Sequence, residues 1–256
     1  MAELRPVVHP AGVRDRRSGE HWAGRLYMRE VSLRCDRYLV GTRITANQLT
    51  GLMIAAGVLA GAALLVPGPA GALLGAALVQ VYLLLDCVDG EVARWRRQTS
   101  VTGVYLDRVG HYLAEAALLT GFGLRAADVW HRAGPAARWE WAFLGALAAL
   151  GAILIKAETD LVDVARARSG LPPVADAAAV PRSRRLALAR RAAAALKVHR
   201  LVGAVEASLL VLAAAAADGP RGDLAATRLG VAVLAAVAVA QTAAHLVSVL
   251  ASSRLT

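Results

Sequence analysis

Cysteine is almost missing from this chain, with Cys35 and Cys87 its two copies. They are too few and too scattered for a disulfide framework, and Cys87, a small residue between two aspartates, reads as packing. Aromatic residues make up only 5% of the 256 residues. With 57% hydrophobic residues and a mean hydropathy of +0.49, that composition excludes an ordinary soluble globule. No internal repeat and no coiled-coil heptad is evident. The first forty residues are polar and Arg-rich, so no cleavable leader is expected and the first spanning helix would itself direct insertion. Acidic groups are outnumbered, 19 against 29 basic side chains, for a net charge of +10. That imbalance invites a nucleic-acid partner. The arginines, however, cluster before the first apolar run and after the fourth, as cytoplasmic loops facing anionic lipid do, so no nucleic acid is expected.

What the chain does have is long apolar runs. Several reach the ~20 residues that a spanning helix needs. An Ala-rich soluble bundle is the competing reading, and the recurrence of the runs argues against it. The spans are placed at about Ile44 to Val66, Ala70 to Ala93, Gly103 to Leu124, Trp141 to Val164, Leu201 to Ala217 and Leu224 to Leu250. Thr45 or Asn47 is available to cap the first, and Pro67-Gly68-Pro69 ends it. Trp130 and Trp139 read as interface anchors. Residues 1–43 form a basic juxtamembrane region in which Trp22, Leu26, Val31, Leu33, Tyr38 and Leu39 alternate with arginines, which suits a helix lying on the membrane surface. Residues 44–252 form one six-helix transmembrane domain. The expected fold class is therefore an all-α integral membrane protein with six transmembrane helices and an N-terminal cytoplasmic surface helix.

Orientation follows from the basic side chains. Nine arginines lie in the N-terminal region and nine arginines and lysines in 165–200, with Arg94, Arg96 and Arg97 after the second span. The opposite links hold none, then Arg125, Arg132 and Arg138, then Arg221 and Arg228. Positive residues stay inside, so both termini and the hairpin between spans two and three are expected on the cytoplasmic side of the cell membrane, in a multi-pass topology.

That hairpin carries the most expensive residues in the chain. Asp86, Asp89, Glu91, Asp107 and His111 lie in or beside apolar runs, and ionisable groups at such depth mark a functional site. Asp86 and Asp89 are three apart and Asp107 and His111 four apart, so each pair shares a helix face. Folding the hairpin about Gln98 and Thr99 sets Asp89 level with Asp107 and Asp86 level with His111. Three facing carboxylates repel unless neutralised, and hard divalent cations suit that role. Two such ions could clamp a pyrophosphate. Gly90 and Gly103 remove side chains beside the carboxylates, leaving room for a flat ligand or a second backbone. Arg94, four residues after Gly90, could meet phosphate oxygens. A set of buried ion pairs among Asp86, Asp89, Arg94 and Arg108 would account for the charges, but not for the two glycines or the alignment across the hairpin.

The pattern Asp-x-x-Asp-Gly-x-x-Ala-Arg, eight residues, Gly, three, Asp, three, Asp is the signature of the CDP-alcohol phosphotransferase family. This chain resembles it at Asp86, Asp89, Gly90, Ala93, Arg94, Gly103 and Asp107, with every spacing kept. The Thr-Ala-Asn-Gln-Leu-Thr stretch from Thr45 to Thr50 is similar to the one that often opens the family's first span. The resemblance implies a membrane phosphotransferase of phospholipid biosynthesis. Such an enzyme moves a phosphatidyl or substituted phosphoryl group from a CDP-linked donor, commonly CDP-diacylglycerol, to an alcohol and releases CMP. It implies that Asp86, Asp89 and Asp107 hold two divalent cations, Mg²⁺ or Mn²⁺. Gly90, Ala93 and Gly103 would then leave room for the cytidine, with Asn47 and Thr50 near the nucleotide. It also implies membrane lipid as partner and a homodimer. The Asp-Gly-Glu-Val-Ala-Arg wording resembles the inositol-phosphate-using branch, which points to a small alcohol or phosphorylated polyol as acceptor.

The chain departs from the signature at its last position, where His111 stands in place of aspartate. Imidazole takes a proton near neutral pH and also ligates divalent metals. Glu115, one turn on, is placed to hydrogen-bond the ring and raise its basicity. Three readings follow: a working base oriented by Glu115, a ligand that changes metal preference, or a catalytically silent relative that binds CDP-lipid or nucleotide or acts as a membrane scaffold. A transporter or channel is disfavoured, because the charged cluster sits at one face and not at the midplane. Lys156, Glu158 and Asp160 fit an acceptor pocket or interfacial ion pairing equally well. Gln241 and His245 read as helix–helix hydrogen bonding, the role of Glu206 is open, and the basic run 182–200 reads as attraction to the membrane surface.

Overall fold

Polar side chains placed just ahead of the apolar runs set where the helices begin. In the computed structural model, which describes residues 7–9, 22–132, 136–172 and 202–255, Thr45 starts the first long helix with a reciprocal capping box. Its hydroxyl accepts from the Gln48 N–H at 3.2 Å and its own N–H donates to Gln48 Oε1 at 2.9 Å. The described residues form seven α-helices and no strand. They are α1 (Arg29–Leu39), α2 (Ala46–Ala63), α3 (Gly68–Trp95), α4 (Val101–Ala126), α5 (Trp139–Arg168), α6 (Ala204–Asp218) and α7 (Ala225–Leu250). A short π-helical turn, Gly24–Met28, runs into α1. The basic run 182–200 and the arginines before residue 22 lie outside the described residues.

Four helices, α2, α3, α5 and α7, are long and apolar enough to cross a membrane by length and composition. Of the other two expected spans, α4 is long enough, but Asp107, Arg108 and Glu115 make its first half polar, and α6 has only 15 residues. Both pack inside the bundle all the same. α2 lies against α3 and α4, α4 against α5, α5 against α7, and α6 against α3 and α7, while α1 rests on α3. Leu52, Leu59, Leu73, Leu74, Phe143, Leu150, Leu161, Leu229 and Leu246 face outward, the surface expected where lipid is the solvent.

Small residues bring the central helices together, as they do wherever packing rather than water exclusion drives association. A Cβ on Gly61 would fall 2.2 Å from the Ala117 carbonyl oxygen, and one on Gly121 would fall 2.2 Å from that of Gly61. Gly57, one turn earlier, faces Ala114 across the same seam. Gly61→Ala is thus expected to force α2 off α4 and cost about 1–3 kcal/mol, as overpacking does. Gly51→Ala, with no neighbour within 4 Å, gains helix propensity without a clash. Thermal unfolding in detergent checks the pair: the midpoint falls for Gly61→Ala and holds or rises for Gly51→Ala.

Two buried charges serve as helix caps from a distance. Arg125, only 8% exposed, donates to the carbonyls of Val66 at 3.2 Å, in the link after α2, and of Gly68 at 2.8 Å, the first residue of α3. Asp218 at the end of α6 accepts from the N–H groups of Ala226 at 2.7 Å and Thr227 at 3.0 Å. It thereby satisfies the start of α7, where the N-cap residue Leu224 offers no side-chain acceptor and Asp223 takes only the Ala225 N–H at 3.2 Å. On the other side, Arg96 donates to the carbonyls of Ile44, Leu39 and Thr42 at 2.5, 2.9 and 2.8 Å and so fixes the link from α1 to α2.

On α1 and α3 two fully buried carboxyl groups, Asp36 and Glu91, lie side by side. Burial, then the Glu91 carboxylate, pushes Asp36 up to about 9. Its folded-state value is therefore above its unfolded one, folding takes up a proton, and the stability Asp36 contributes below ~pH 4 is lost as pH rises towards 9. Asp36→Asn mimics the neutral form. Its unfolding midpoint is expected to fall less between pH 5 and pH 9 than that of the wild type, on the order of that range.

Candidate metal centre

The hairpin that carries the motif is closed by a tight turn. At the end of α3 the Gln98 N–H reaches back to the Ala93 carbonyl at 2.9 Å and the Arg97 N–H to Arg94 at 3.2 Å. Arg97 adopts φ 53°, the left-handed residue such a helix end requires, usually glycine. Ser100 then caps α4, its hydroxyl accepting from the Gly103 N–H at 3.0 Å. This turn sets the register of α3 against α4, and with it which motif residues meet.

Asp86, Asp107 and His111 converge. One donor atom from each lies within 4.8 Å of the others. His111 Nε2 is 3.2 Å from Asp86 Oδ1 and 3.5 Å from Asp107 Oδ1. All three are partly open to solvent, Asp107 most, with its side chain 44% exposed. Two carboxylate oxygens and an imidazole nitrogen around a shared, accessible space make a donor set that could hold a divalent cation.

Asp89 stands apart from that cluster. Only 6% exposed, it accepts from the Thr50 hydroxyl at 2.6 Å through Oδ2 and from the Gly90 N–H at 2.5 Å through Oδ1. Thr50, expected beside a nucleotide, therefore holds a motif aspartate. Asn47 lies across from Gly103, its Oδ1 3.3 Å from where a Cβ would sit. At Gly90 the space a side chain would take is filled by the Arg94 guanidinium, 3.1 Å from that position. Arg94 Nε donates to the Val8 carbonyl at 2.9 Å. Ala93 is half-buried on α3. Glu91 turns away from the cluster towards the N-terminal segment, where His9 Nε2 lies 2.6 Å and Arg29 3.9 Å from Oε1.

The structure does not bring Glu115 to His111. Its carboxylate, 5% exposed, pairs with Lys156 Nζ at 2.8 Å, tying α4 to α5. The ring of His111 is held instead by Tyr82, whose hydroxyl hydrogen-bonds Nδ1. In the sequence Tyr82 reads as one more residue of an apolar run. The available signal was its position one turn before Asp86, on the face that turns to α4. Asp160 and Glu158 of α5 are also engaged. Asp160 accepts from the Tyr112 hydroxyl and lies 3.4 Å from Arg108, and Glu158 meets His245 Nδ1 at 2.7 Å.

Comparisons with known proteins bear on the same stretch of chain. The family model described as CDP-alcohol phosphatidyltransferase matches residues 43–253. The bifunctional IPC transferase and DIPP synthase of Aquifex aeolicus is 35% identical over 112 residues, which cover 44% of this chain and 25% of that protein. The protein of the same description from Thermococcus kodakarensis is 28% identical over 149 residues, 56% of this chain and 30% of its own length. The chain thus spans less than a third of the curated relatives it matches. With the family match covering both helices of the motif hairpin and most of the rest of the sequence, the chain belongs to the CDP-alcohol phosphatidyltransferase family.

Proposed function

We propose that this protein is a membrane-embedded phosphotransferase that moves a substituted phosphoryl group from a CDP-linked donor to an alcohol and releases CMP. The observation that carries the reading is the convergence of Asp86, Asp107 and His111 within 4.8 Å of one another, at the motif of a chain whose family match spans 43–253. In this reading α4 and α6 join the four long apolar helices to make six spans, since both pack among them. The surface helix, both termini and the metal centre then face the cytoplasm, following the distribution of arginine.

Asp86, Asp107 and His111 would hold a divalent cation, Mg²⁺ or Mn²⁺, and Asp89, which the motif assigns to the second of two, would have to loosen its hold on Thr50 or the Gly90 N–H to reach it. When bound, such ions neutralise the pyrophosphate oxygens and the charge that builds on the leaving group. The protein's own part is positioning and proton transfer. Where Nε2 is not given to the cation, His111 takes the proton of the acceptor hydroxyl there, and Asp86 and Asp107 stabilise the imidazolium that results, being 3.2 and 3.5 Å away. The acceptor oxygen forms the new bond to the β-phosphorus while the bridging P–O bond breaks and CMP departs. Thr50 and Asn47, with Gly90, Ala93 and Gly103, shape the nucleotide side of the site. Arg94 would have to leave the Val8 carbonyl to reach a phosphate.

The Lys156–Glu115 and Arg108–Asp160–Tyr112 groups stand on the α4–α5 side of His111. That polar wall favours a small alcohol or phosphorylated polyol as acceptor, in keeping with relatives described as IPC transferases. CDP-diacylglycerol is the donor to try first, which would place the protein in phospholipid biosynthesis, and a homodimer is the assembly to look for. His111 at an aspartate position supports a second reading, a silent relative that binds CDP-lipid. The test is CMP release by the purified full chain in mixed micelles with CDP-diacylglycerol, Mg²⁺ or Mn²⁺ and a panel of alcohols and polyol phosphates. Release that needs both the metal and one acceptor class supports the enzyme. No release with any acceptor overturns it in favour of the binding protein.

A further inference from the structure

We infer that Tyr82 is the positioning residue that allows a histidine to work where the family's signature has an aspartate. This rests on the reading of Asp86, Asp107 and His111 as a cation site. An aspartate at position 111 would offer two oxygens with lone pairs and no tautomer to choose. An imidazole offers one lone pair at a time, and whether it is to ligate a cation or take a proton, that lone pair must be on the nitrogen that faces the carboxylates. In His111 that atom is Nε2, 3.2 Å from Asp86 and 3.5 Å from Asp107. The N–H then falls on Nδ1 and needs an acceptor.

In that form Tyr82 Oη is the acceptor within reach. Its hydroxyl hydrogen-bonds Nδ1, and the two rings meet edge to face, centroids 5.9 Å apart and planes at 86°. Tyr82 is 1% exposed and packs against the Gly57 position, where its Cδ2 lies 3.2 Å from the site of a Cβ. The α2–α3–α4 seam therefore holds the phenol rigidly. Glu115, the group placed to orient the ring by sequence, is engaged by Lys156 at 2.8 Å, which leaves the orienting role to Tyr82. Outer partners of this kind fix the tautomer and direction of a ligating histidine, and their loss costs about 10–100-fold in metal affinity.

The test uses the full chain in detergent, with Mn²⁺ alone as probe and free Mn²⁺ read by electron paramagnetic resonance. Tyr82→Phe keeps the ring and is expected to weaken Mn²⁺ binding about 10–100-fold, while in a His111→Ala background the same change has no further effect. In Mg²⁺-loaded wild type, ¹⁵N NMR of the His111 ring, assigned by its loss in His111→Ala, should show the Nδ1–H form. Wild-type affinity in Tyr82→Phe, with Asp107→Ala still weakened, overturns the inference and leaves the cation site standing. So does equal weakening by Tyr82→Phe in both backgrounds, which assigns the residue to packing. An Nε2–H ring in the Mg²⁺-loaded wild type overturns it whatever the variants do. Absence of Mn²⁺ binding to wild type, or an Asp107→Ala variant that binds like it, overturns the cation site itself and this inference with it.

Discussion

Asp107→Ala is expected to lower CMP release by about a thousandfold, the cost of several kcal/mol of lost charge stabilisation. Asp107 is the most open member of the cluster, its side chain 44% exposed, and its partner is His111 at 3.5 Å. Removing it therefore takes away a cation donor without opening a cavity in the bundle. The unfolding midpoint should stay near that of the wild type, which separates a lost site from a lost fold. Asp89→Ala provides the contrast. Asp89 is 6% exposed and holds Thr50 at 2.6 Å, so its loss removes that α2–α3 tie, leaves the Thr50 hydroxyl only the Ala46 carbonyl at 3.1 Å, opens a buried cavity, and lowers both activity and stability. Activity assays and thermal melts on the two variants, run side by side, check this division. An Asp107→Ala protein that releases CMP at the wild-type rate would remove the cluster from the chemistry.

His111→Ala is expected to cost about 10²–10⁴-fold in CMP release, the range over which a positioned base contributes. The substitution deletes the Nε2 that faces Asp86 and Asp107 and leaves the Tyr82 hydroxyl without the ring it bonds. His111→Asp restores the family's residue, and if the site is otherwise intact it recovers a large part of the loss. Kinetics of the two variants over a range of Mg²⁺ and Mn²⁺ concentrations check the point. A His111→Ala enzyme slowed at every metal concentration has lost its base, whereas one rescued by raising the metal has lost a ligand.

Much of the fold was legible because its grammar is local. Apolar run length, the Thr45 cap, the Pro67-Gly68-Pro69 break and the polar link at Gln98 are each written in a few neighbouring residues, and the helices α2 to α7 begin and end within a few residues of the expected spans. The pairing of Asp86 with His111 was legible too, because a short turn between two helices fixes their register arithmetically. What could not be read was long-range. That Asp89 would be held by Thr50 on α2 depends on the α2–α3 packing set by Gly57, Gly61 and their neighbours. Glu115 and Lys156 meet across the α4–α5 seam, a contact between residues 41 positions apart that no spacing on α4 announces. The same holds for Arg96, which gathers three carbonyls of the α1–α2 link, and for Glu91, which turns to His9 and Asp36. Tyr82 was hidden for a different reason. A tyrosine inside an apolar run carries no charge, and only its partner across the hairpin shows that its hydroxyl is used.

Histidine at position 111 is expected to serve an active centre and not to silence it. The most direct measurement is CMP release from CDP-diacylglycerol by wild type and His111→Asp under identical Mg²⁺ or Mn²⁺ and acceptor conditions. Acceptor-dependent release by the wild type, abolished by chelating the metal, is the expected result. A silent wild type that gains release only when His111 becomes aspartate would contradict it.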